Sequence, residues 1–575
     1  MGKPMVRRLH LPLLGCIPRT SQFLGRLITI PAYSHQLRLT PYFRQLPMTK
    51  RIIFLLLLVC TLPCRAAERA LALTDKDLYL TGERLHVSVC IVDDDMRPSL
   101  LSCVAYVEIS DSYRLCAQGL VSLVAGRGWA DIALPASLHS GNYLLTVYTR
   151  AMRNLDLTTS DALFSKVISI VNPTHLSRAD DIIFLPTDSI PLPPAISQAT
   201  FLTRQAGQSV ALPAELCGDL LFSSLSVMRH DLLSPDYSTL HVDRRMLTRQ
   251  PTTPLLPEIE GHLVLARPTE AKSTVSQTRL VMVGRQNAIF DGQWQPDGTW
   301  LYYTSNLYGR RPAMLNTYDI EGHPVAIEFV SPFARILPLS LPKLEVGCTE
   351  ADLQRRAKSA QREQEITDWL SKDSLVFSAN LLSSEPHWSY DLDEYTKFKS
   401  VREILIEFVR GVKRDKVHGV NQLFIFDPDM RIYSKWSALV LLDGMPIFDI
   451  DEILDYDARL LKYVMIYTDR YTFGNTPYWG IISFVSQKGL LSNFNLDRTS
   501  HLVLYSFPQD RPDFITPADP QAGTVVWCPE VVSDASHPVV FTAPSTPGTY
   551  RILLQGFDKD GKYVSRAFLL QNGGK

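Results

Sequence analysis

Asp75-Lys76-Asp77-Leu78-Tyr79-Leu80-Thr81-Gly82-Glu83 runs directly into Arg84-Leu85-His86-Val87-Ser88-Val89-Cys90-Ile91, and this stretch decides the fold class. Gly82 supplies the backbone freedom that the Thr81-Gly82-Glu83 turn requires, and Tyr79 is placed to pack under a sheet. The run from Leu85 to Ile91 alternates in character, as a half-buried strand does. The same signature continues outward. Val104-Ala-Tyr-Val-Glu-Ile alternates, Gly126-Arg-Gly128 breaks the chain before Trp129-Ala-Asp-Ile-Ala-Leu, and Gly141-Asn142 opens Tyr143-Leu-Leu-Thr-Val-Tyr148. Short strands spaced roughly every 8–12 residues with turn signals indicate an all-β sandwich, here over residues 67–172.

Asp75, Tyr79, Gly82 and Glu83 resemble the D-K-x-x-Y-x-x-G-E entry of the second macroglobulin domain of the α2-macroglobulin superfamily, and Gly141-Asn142-Tyr143 is similar to its closing G-x-Y strand. The resemblance implies a macroglobulin-like sandwich; a generic immunoglobulin-like sandwich would have the same architecture. Full-length inhibitors of that superfamily trap proteases through a Cys-Gly-Glu-Gln thioester. The tetrapeptide does not occur here, so that chemistry is not implied.

Residues 1–66 contain ten of the 58 basic residues and no acid; the first is Glu68. Met48-Thr49-Lys50-Arg51 is a basic start, Ile52 to Val59 is unbroken apolar sequence, and Cys64-Arg65-Ala66 offers small residues at −3 and −1. The apolar core is too short to span a bilayer, so 48–66 reads as a signal peptide cleaved after Ala66, and the chain as exported to the periplasm or outer membrane. A lipoprotein cysteine fits Pro63-Cys64 poorly. Residues 1–47 read as an upstream start artefact, with a genuine basic leader as the alternative. From Ala67 onward 48 basic face 59 acidic residues, a formal charge of −11, and no basic stripe suggests a nucleic-acid partner. No later apolar run is long enough to be a transmembrane span. Six cysteines remain, at 90, 103, 116, 217, 348 and 528, without C-x-x-C spacing. Cys90, Cys103 and Cys116 read as buried thiols or, alternatively, as containing a disulfide.

Further along, Pro186–Pro194 is a proline-rich linker, and short apolar runs predict a second β-sandwich over 195–250. Pro251–Pro257 is another linker, followed by a third sandwich over 256–340 with turn dipeptides at Asp291-Gly292 and Asp297-Gly298. Thr349-x-x-Asp352 caps a helix over 349–372, read as a spacer, with a thin apolar stripe of Leu353, Ala357 and Ala360. Ser400-Val-Arg-Glu403 caps an amphipathic helix through Phe408, stopped at Gly411. Three strands follow it: Ala438-Leu-Val-Leu-Leu, Leu461-Lys-Tyr-Val-Met-Ile-Tyr and Gly480-Ile-Ile-Ser-Phe-Val. The end, 495–575, returns to β character and predicts a C-terminal sandwich, whose Gly548-Thr-Tyr550 echoes Gly141-Asn142-Tyr143. The expected class is therefore mainly β and multi-domain: serial immunoglobulin- or macroglobulin-like sandwiches with one α+β unit and a spacer helix.

Leu439-Val-Leu-Leu-Asp443-Gly444-Met445-Pro446-Ile447 resembles the V-x-V-D-G-x-P motif of the plug domain of TonB-dependent receptors, in the branch common in Bacteroidetes. Gly474, Gly480 and the run to Lys488-Gly489 fit the pattern that follows it. The resemblance covers 388–490 and implies a plug-like α+β domain, without the several hundred residues of barrel that a receptor would add.

No H-E-x-x-H, G-x-S-x-G, Walker or dinucleotide signature is present, and no cofactor or metal is implied. Each of the acidic pairs Asp391/Asp393, Asp427/Asp429, Asp449/Asp451 and Asp558/Asp560 could be half of a glycosidase pair or a calcium site. Asp558-Lys-Asp560-Gly561 lacks the further ligands of a calcium loop and reads as a hairpin turn, and Asp93-Asp94-Asp95 as a solvated loop. His86, His262 and His418 read as structural. Tyr471, Phe473, Tyr478 and Trp479, in a Gly/Pro-containing loop, form a candidate binding loop; packing against the C-terminal sandwich is the alternative. Three functions stay open: a non-enzymatic envelope protein contacting a protein or glycan; an accessory to a TonB-dependent transport system, engaging a barrel in another chain; and a hydrolase with accessory sandwiches.

Overall fold

A turn at Gly82 (φ 86°) lets the chain cross from one sheet to another at the point the sequence marks. The computed structural model of the chain describes residues 68–174, 182–185, 202–212, 220–488, 500–514, 523–531 and 539–573, apart from 239, 252, 271–274, 283–287, 322, 324, 373–384, 418 and 475. The basic leader, the signal-peptide segment, the Pro186–Pro194 linker, Cys217, His418 and Gly489 lie outside the described residues. What is described is mainly β, arranged as sandwiches with one α+β unit.

In the front sandwich a three-stranded sheet (Arg69–Thr74, Arg84–Val92, Arg127–Ala133) faces a five-stranded one. The latter is ordered Leu78–Leu80, Phe164–Val171, Gly141–Thr149, Val104–Ser110, Leu115–Ser122. Leu85, Val87, Val107, Tyr148 and Ile168 are buried between the two. Tyr79 is fully buried, its hydroxyl 2.7 Å from the Asp75 carboxylate. Cys90, Cys103, Cys116, Cys348 and Cys528 are free thiols, and burial pushes Cys90 up to about 11.

The stretches 195–250 and 495–575, expected as two sandwiches, supply strands to one. Its five-stranded sheet is ordered Leu202–Gln205, Tyr563–Gly573, Gly548–Asp558, Leu220–Arg229, Thr524–Cys528, and Ser209–Leu212 pairs with Val539–Thr542. Neither stretch closes a core alone: Val210, Leu225 and Val227 from the first meet Phe541, Ile552 and Leu570 from the second. The strand order is that of the front sandwich, down to a parallel pair at the same edge (Leu78–Leu80 on Phe164–Val171; Leu202–Gln205 on Tyr563–Gly573). Everything between Arg229 and Thr524 therefore occupies the hairpin that in the front sandwich joins Val104–Ser110 to Leu115–Ser122.

The Gly-x-Tyr echo is the visible trace of this likeness. Tyr143 donates its hydroxyl to the carbonyl of His139 at 2.7 Å, and Tyr550 to that of Thr546 at 3.0 Å, each four residues upstream. A tyrosine pinned back in this way fixes a sandwich corner. The Asn172 amide reaches the carbonyls of Ala136 and Leu138, and the Asn572 amide those of Pro544 and Thr546, tying the same corner from the last strand.

Inside that hairpin lies the middle sandwich. One sheet is ordered Gln293–Trp294, Trp300–Tyr303, Leu263–Pro268, Ile327–Val330, and the other Ala288–Asp291, Gln277–Met282, Arg310–Tyr318, Ser500–Ser506. Its last strand comes from beyond the α+β unit, another departure from the expected serial order. The α+β unit is thus inserted in turn. Its sheet is ordered Trp388–Asp391, Leu461–Phe473, Thr476–Ser486, Leu439–Leu442, Met445–Ile447, with helices Val401–Glu407 and Ile450–Leu454 and a hairpin Val412–Val417/Val420–Asp427. Asp443 (φ 49°) and Gly444 (φ 85°) make a two-residue hairpin turn of the kind that needs positive φ at both places. The Asp443 carboxylate accepts from the backbone and hydroxyl of Ser486 at 2.7 and 2.6 Å, so the motif aspartate clasps two strands. Pro446 sits on the edge strand, where a missing N–H costs least. Gly480 (φ 87°) stands where the register of the long hairpin shifts, between Tyr467 and Arg470.

Helix Glu350–Lys372 does more than space domains. Leu353 and Ala360 are buried with Leu78, Leu80 and Val346, and Thr349 caps the first turn through the Asp352 N–H at 3.2 Å. Between them the guanidinium of Arg356, almost fully buried, lies 2.6 Å from Glu83 and 3.3 Å from Asp231. Lys76 reaches the other Glu83 oxygen at 2.9 Å. Asp75 accepts from Thr524, and Gln555 donates to the Thr74 carbonyl at 2.7 Å. The entry motif is therefore a buried junction of front sandwich, helix and second sandwich.

Burial alone would raise the Glu83 carboxyl, but Lys76 and Arg356 outweigh it and bring it from 4.5 to about 2. A depressed folded value stabilises above the unfolded value and the gain disappears as pH falls through the folded one. Glu83→Gln is expected to cost about 3–5 kcal/mol at neutral pH, as breaking a buried pair does. The difference from wild type in urea unfolding should shrink between pH 4.5 and 2. The interrupted topology makes a second prediction. A chain in which Arg229 is joined to Gly523 by Asn-Gly should fold with a cooperative thermal transition, and residues 495–575 alone should not.

Candidate functional site

The long hairpin Leu461–Phe473/Thr476–Ser486 pairs Arg470 with Trp479, Tyr471 with Tyr478 and Phe473 with Thr476. Side chains alternate along a strand, so Tyr471, Phe473 and Tyr478 share one face while Arg470 and Trp479 take the other. The expected binding loop is thus divided. Phe473 and Tyr478 are buried, in a core that also takes in Val281, Ile289 and Met314 of the middle sandwich. Thr476 donates from its hydroxyl to the Ile289 carbonyl at 3.2 Å and lies 3.0 Å from the Asp291 carboxylate. A Cβ on Gly474 (φ 62°) would stand 2.5 Å from the Ile289 oxygen. The hairpin tip is a clamp, and what it grips is the middle sandwich, not the C-terminal one.

The opposite face is open. The Arg470 guanidinium lies 4.2 Å above the Trp479 ring, and Trp436 leans on Trp479 with ring centroids 5.9 Å apart. Trp436 is 55% exposed, with the Lys435 ammonium 5.7 Å from its ring. Cation–π contact orders these side chains, with Trp436 exposed and Trp479 half-buried. Their loop is held by backbone bonds, Ser434 to Ile425 and Ala438 to Leu423, both at 2.8 Å. Trp and Arg on a rigid, solvent-facing support have the composition of an interaction hot spot. Sequence reasoning found Trp479 but missed Trp436 and Lys435; their signal was a basic–aromatic pair in an otherwise polar loop.

Several ionisable groups in the interior bond to the strands and linkers around them. Glu68 accepts from Ser99, Ser102 and Thr149. Glu108 accepts from the Tyr148 hydroxyl and the backbone of Arg335 and Ile336; burial leaves its carboxyl above the ordinary range despite those bonds. Glu258 receives the Tyr106 hydroxyl and the Leu263 N–H, and His262 bridges it to Tyr505 at 2.8 and 3.0 Å. For His86, burial works to lower the imidazole, but its 2.6 Å contact with Asp131 and the nearby Asp75 outweigh this and hold it above its usual value. Asp319, Glu321 and His323 gather at an exposed turn where a cation could be held, but Asp319 already caps the N–H groups of the other two.

No family model matches the chain, and no curated protein matches it. Solved structures similar to it include α2-macroglobulin from Salmonella, at 8% identity over 88% of this chain and 23% of that one, TM-score 0.15. Escherichia coli α2-macroglobulin activated by porcine elastase matches at 8% identity over 88% and 44%, TM-score 0.22. The Escherichia coli adhesin FdeC matches at 10% identity over 48% and 65%, TM-score 0.15. The chain spans less than half the length of either macroglobulin.

The division of the hairpin is measurable. Phe473→Ala should cost about 3–5 kcal/mol in chemical denaturation, whereas Trp436→Ala should cost less than about 1 kcal/mol.

Proposed function

We propose that this chain is a non-enzymatic cell-envelope protein that binds or scaffolds, with a plug-like α+β module carried on nested macroglobulin-like sandwiches. The observation that carries the reading is the pair Trp436 and Trp479, set between Arg470 and Lys435 on the open face of the module. Export rests on the basic, apolar and small-residue succession from Lys50 to Ala66. The absence of catalysis is part of the proposal: the buried carboxylates and histidines named above are bonded to strands and linkers, an arrangement that serves assembly.

A glycan with an apolar sugar face and an extended protein loop would both suit exposed tryptophan flanked by cations. The test is a glycan array and envelope-protein capture with residues 67–575, wild type against Trp436→Ala/Trp479→Ala. Capture should fall at least about tenfold in the double variant and stay unchanged in Leu100→Ala, a remote exposed position. Hydrolytic turnover by the purified chain, lost on changing Glu258 or one of the acidic pairs, would replace this reading with an enzymatic one.

A further inference from the structure

The hairpin Val412–Val417/Val420–Asp427 lies at one side of the α+β module, with Val412–Val417 as an edge strand. The Phe426 N–H donates to the Gly411 carbonyl at 2.8 Å. In an antiparallel ladder bonded and non-bonded pairs alternate. With Val412 opposite Ile425, this turns the backbone of Lys413 and Asp415 inward and that of Val412, Arg414 and Lys416 to the free edge. The Lys416 N–H is covered by the Asp415 carboxylate at 2.9 Å. The polar groups of Val412 and Arg414 have no partner among the described residues.

Beneath this edge is a cavity of about 330 Å³ between the strand and helix Val401–Glu407, lined by Arg402, Leu405, Ile406, Val412, Arg414 and Leu454 among others. Its apolar side includes Ile406, which is 71% exposed and so open to an incoming side chain. Val412 and Arg414 stand opposite Ile425 and Leu423, both buried, so their side chains lie on the sheet face that the cavity undercuts. The charges nearby are unequal. Asp415 is taken by Lys413 and Asp455 by Arg402, each at 2.8 Å. Among the described residues Arg410, Arg414 and Lys416 have no acidic partner and Glu407 has no basic one, which leaves the balance positive.

We propose that this edge takes up an extended acidic segment of another protein as an added strand. Its backbone would pair with Val412 and Arg414. One apolar side chain would enter the cavity beside Ile406, and an acidic side chain two residues away, on the same face, would meet Arg414. Strand addition of this kind draws affinity from main-chain bonds and selectivity from pockets for alternate side chains. The site uses residues other than the Trp436–Trp479 face, so either can fail while the other stands.

The probe is a fluorescein-labelled Thr-Val-Thr-Glu-Thr-Val-Thr-Glu peptide, titrated with residues 67–575 and followed by anisotropy. Saturable binding is expected below about 1 mM, with a Glu-to-Lys peptide at least about tenfold weaker. Arg414→Glu and Ile406→Asp should each weaken binding by about tenfold or more. Arg414→Pro removes an outward N–H and no ladder bond, so it should abolish binding at an unchanged melting temperature. Trp436→Ala should bind as wild type. No saturation by about 1 mM, equal binding of the Glu-to-Lys peptide, or indifference to Arg414→Pro would each overturn the proposal.

Discussion

Arg229 donates its N–H to the carbonyl of Gly523 at 3.0 Å, with all of residues 230–522 between them. That rung closes the hairpin through which the inner domains leave and return, and the rest of the architecture depends on it. An insertion is tolerated there because its ends meet side by side, and the entropic cost of closing a loop grows only slowly with its length. The same device recurs one level further in, where Ser500–Ser506 returns to pair with Arg310–Tyr318 after the α+β unit. Closure also needs anchors. Glu258 and Glu108 provide them at the two ends of the middle sandwich. The first binds Tyr106 of the front sandwich and lies just before the strand Leu263–Pro268; the second, inside the front sandwich, holds the backbone of Arg335 and Ile336 just after Ile327–Val330. A buried carboxylate suits this task because leaving it unpaired is costly, so alternative dockings are penalised.

The junction at Asp75–Glu83 adds the second sandwich to this frame. Leu71, Leu73 and Cys90 on the outer side of the three-stranded sheet pack against Phe222 and Phe557. Both sides of that sheet are thus covered, which is why Arg84–Val92 is almost continuously buried although its sequence partly alternates. Thr524, beside Gly523, bonds Asp75, so the closing rung and the entry motif are neighbours in space.

Much of the local structure was legible. The capping patterns at Thr349 and Ser400, the Asp443-Gly444 turn, the Gly82 turn and the apolar stripe of Leu353 and Ala360 all depend on residues within a few positions of one another. Strand partners were not legible. Leu220–Arg229 would carry the same apolar pattern beside any neighbour, and nothing within it announces a partner at Thr524–Cys528. Only the Gly-x-Tyr echo pointed across that distance. The candidate site was half legible for a similar reason. Aromatic residues around Gly474 look like a long loop, yet the strands run to Phe473 and resume at Thr476, and their register alone decides that Phe473 turns inward and Trp479 outward. Nothing near Glu108 in sequence announces what satisfies its buried carboxylate; two of its partners are backbone N–H groups of a linker more than two hundred residues later.

Nesting also bears on where the recognition proposed above would be placed. The front and second sandwiches cover each other's outer faces, and the middle sandwich gives Val281, Ile289 and Met314 to the α+β core. Surfaces consumed in this way cannot serve a partner. The innermost module is gripped through one face of its long hairpin, while Trp436 on another face and the edge at Val412–Arg414 remain in solvent. An insertion within an insertion is held at both ends by rigid sheets, so these side chains keep fixed positions without being buried. Preorganisation of this sort lowers the cost of ordering a binding surface. The sandwiches are accordingly a mount whose buried carboxylates are bonded across its parts, and the nested module is where the proposed function and the proposed strand addition place their contacts, at Trp436 and along Val412–Arg414.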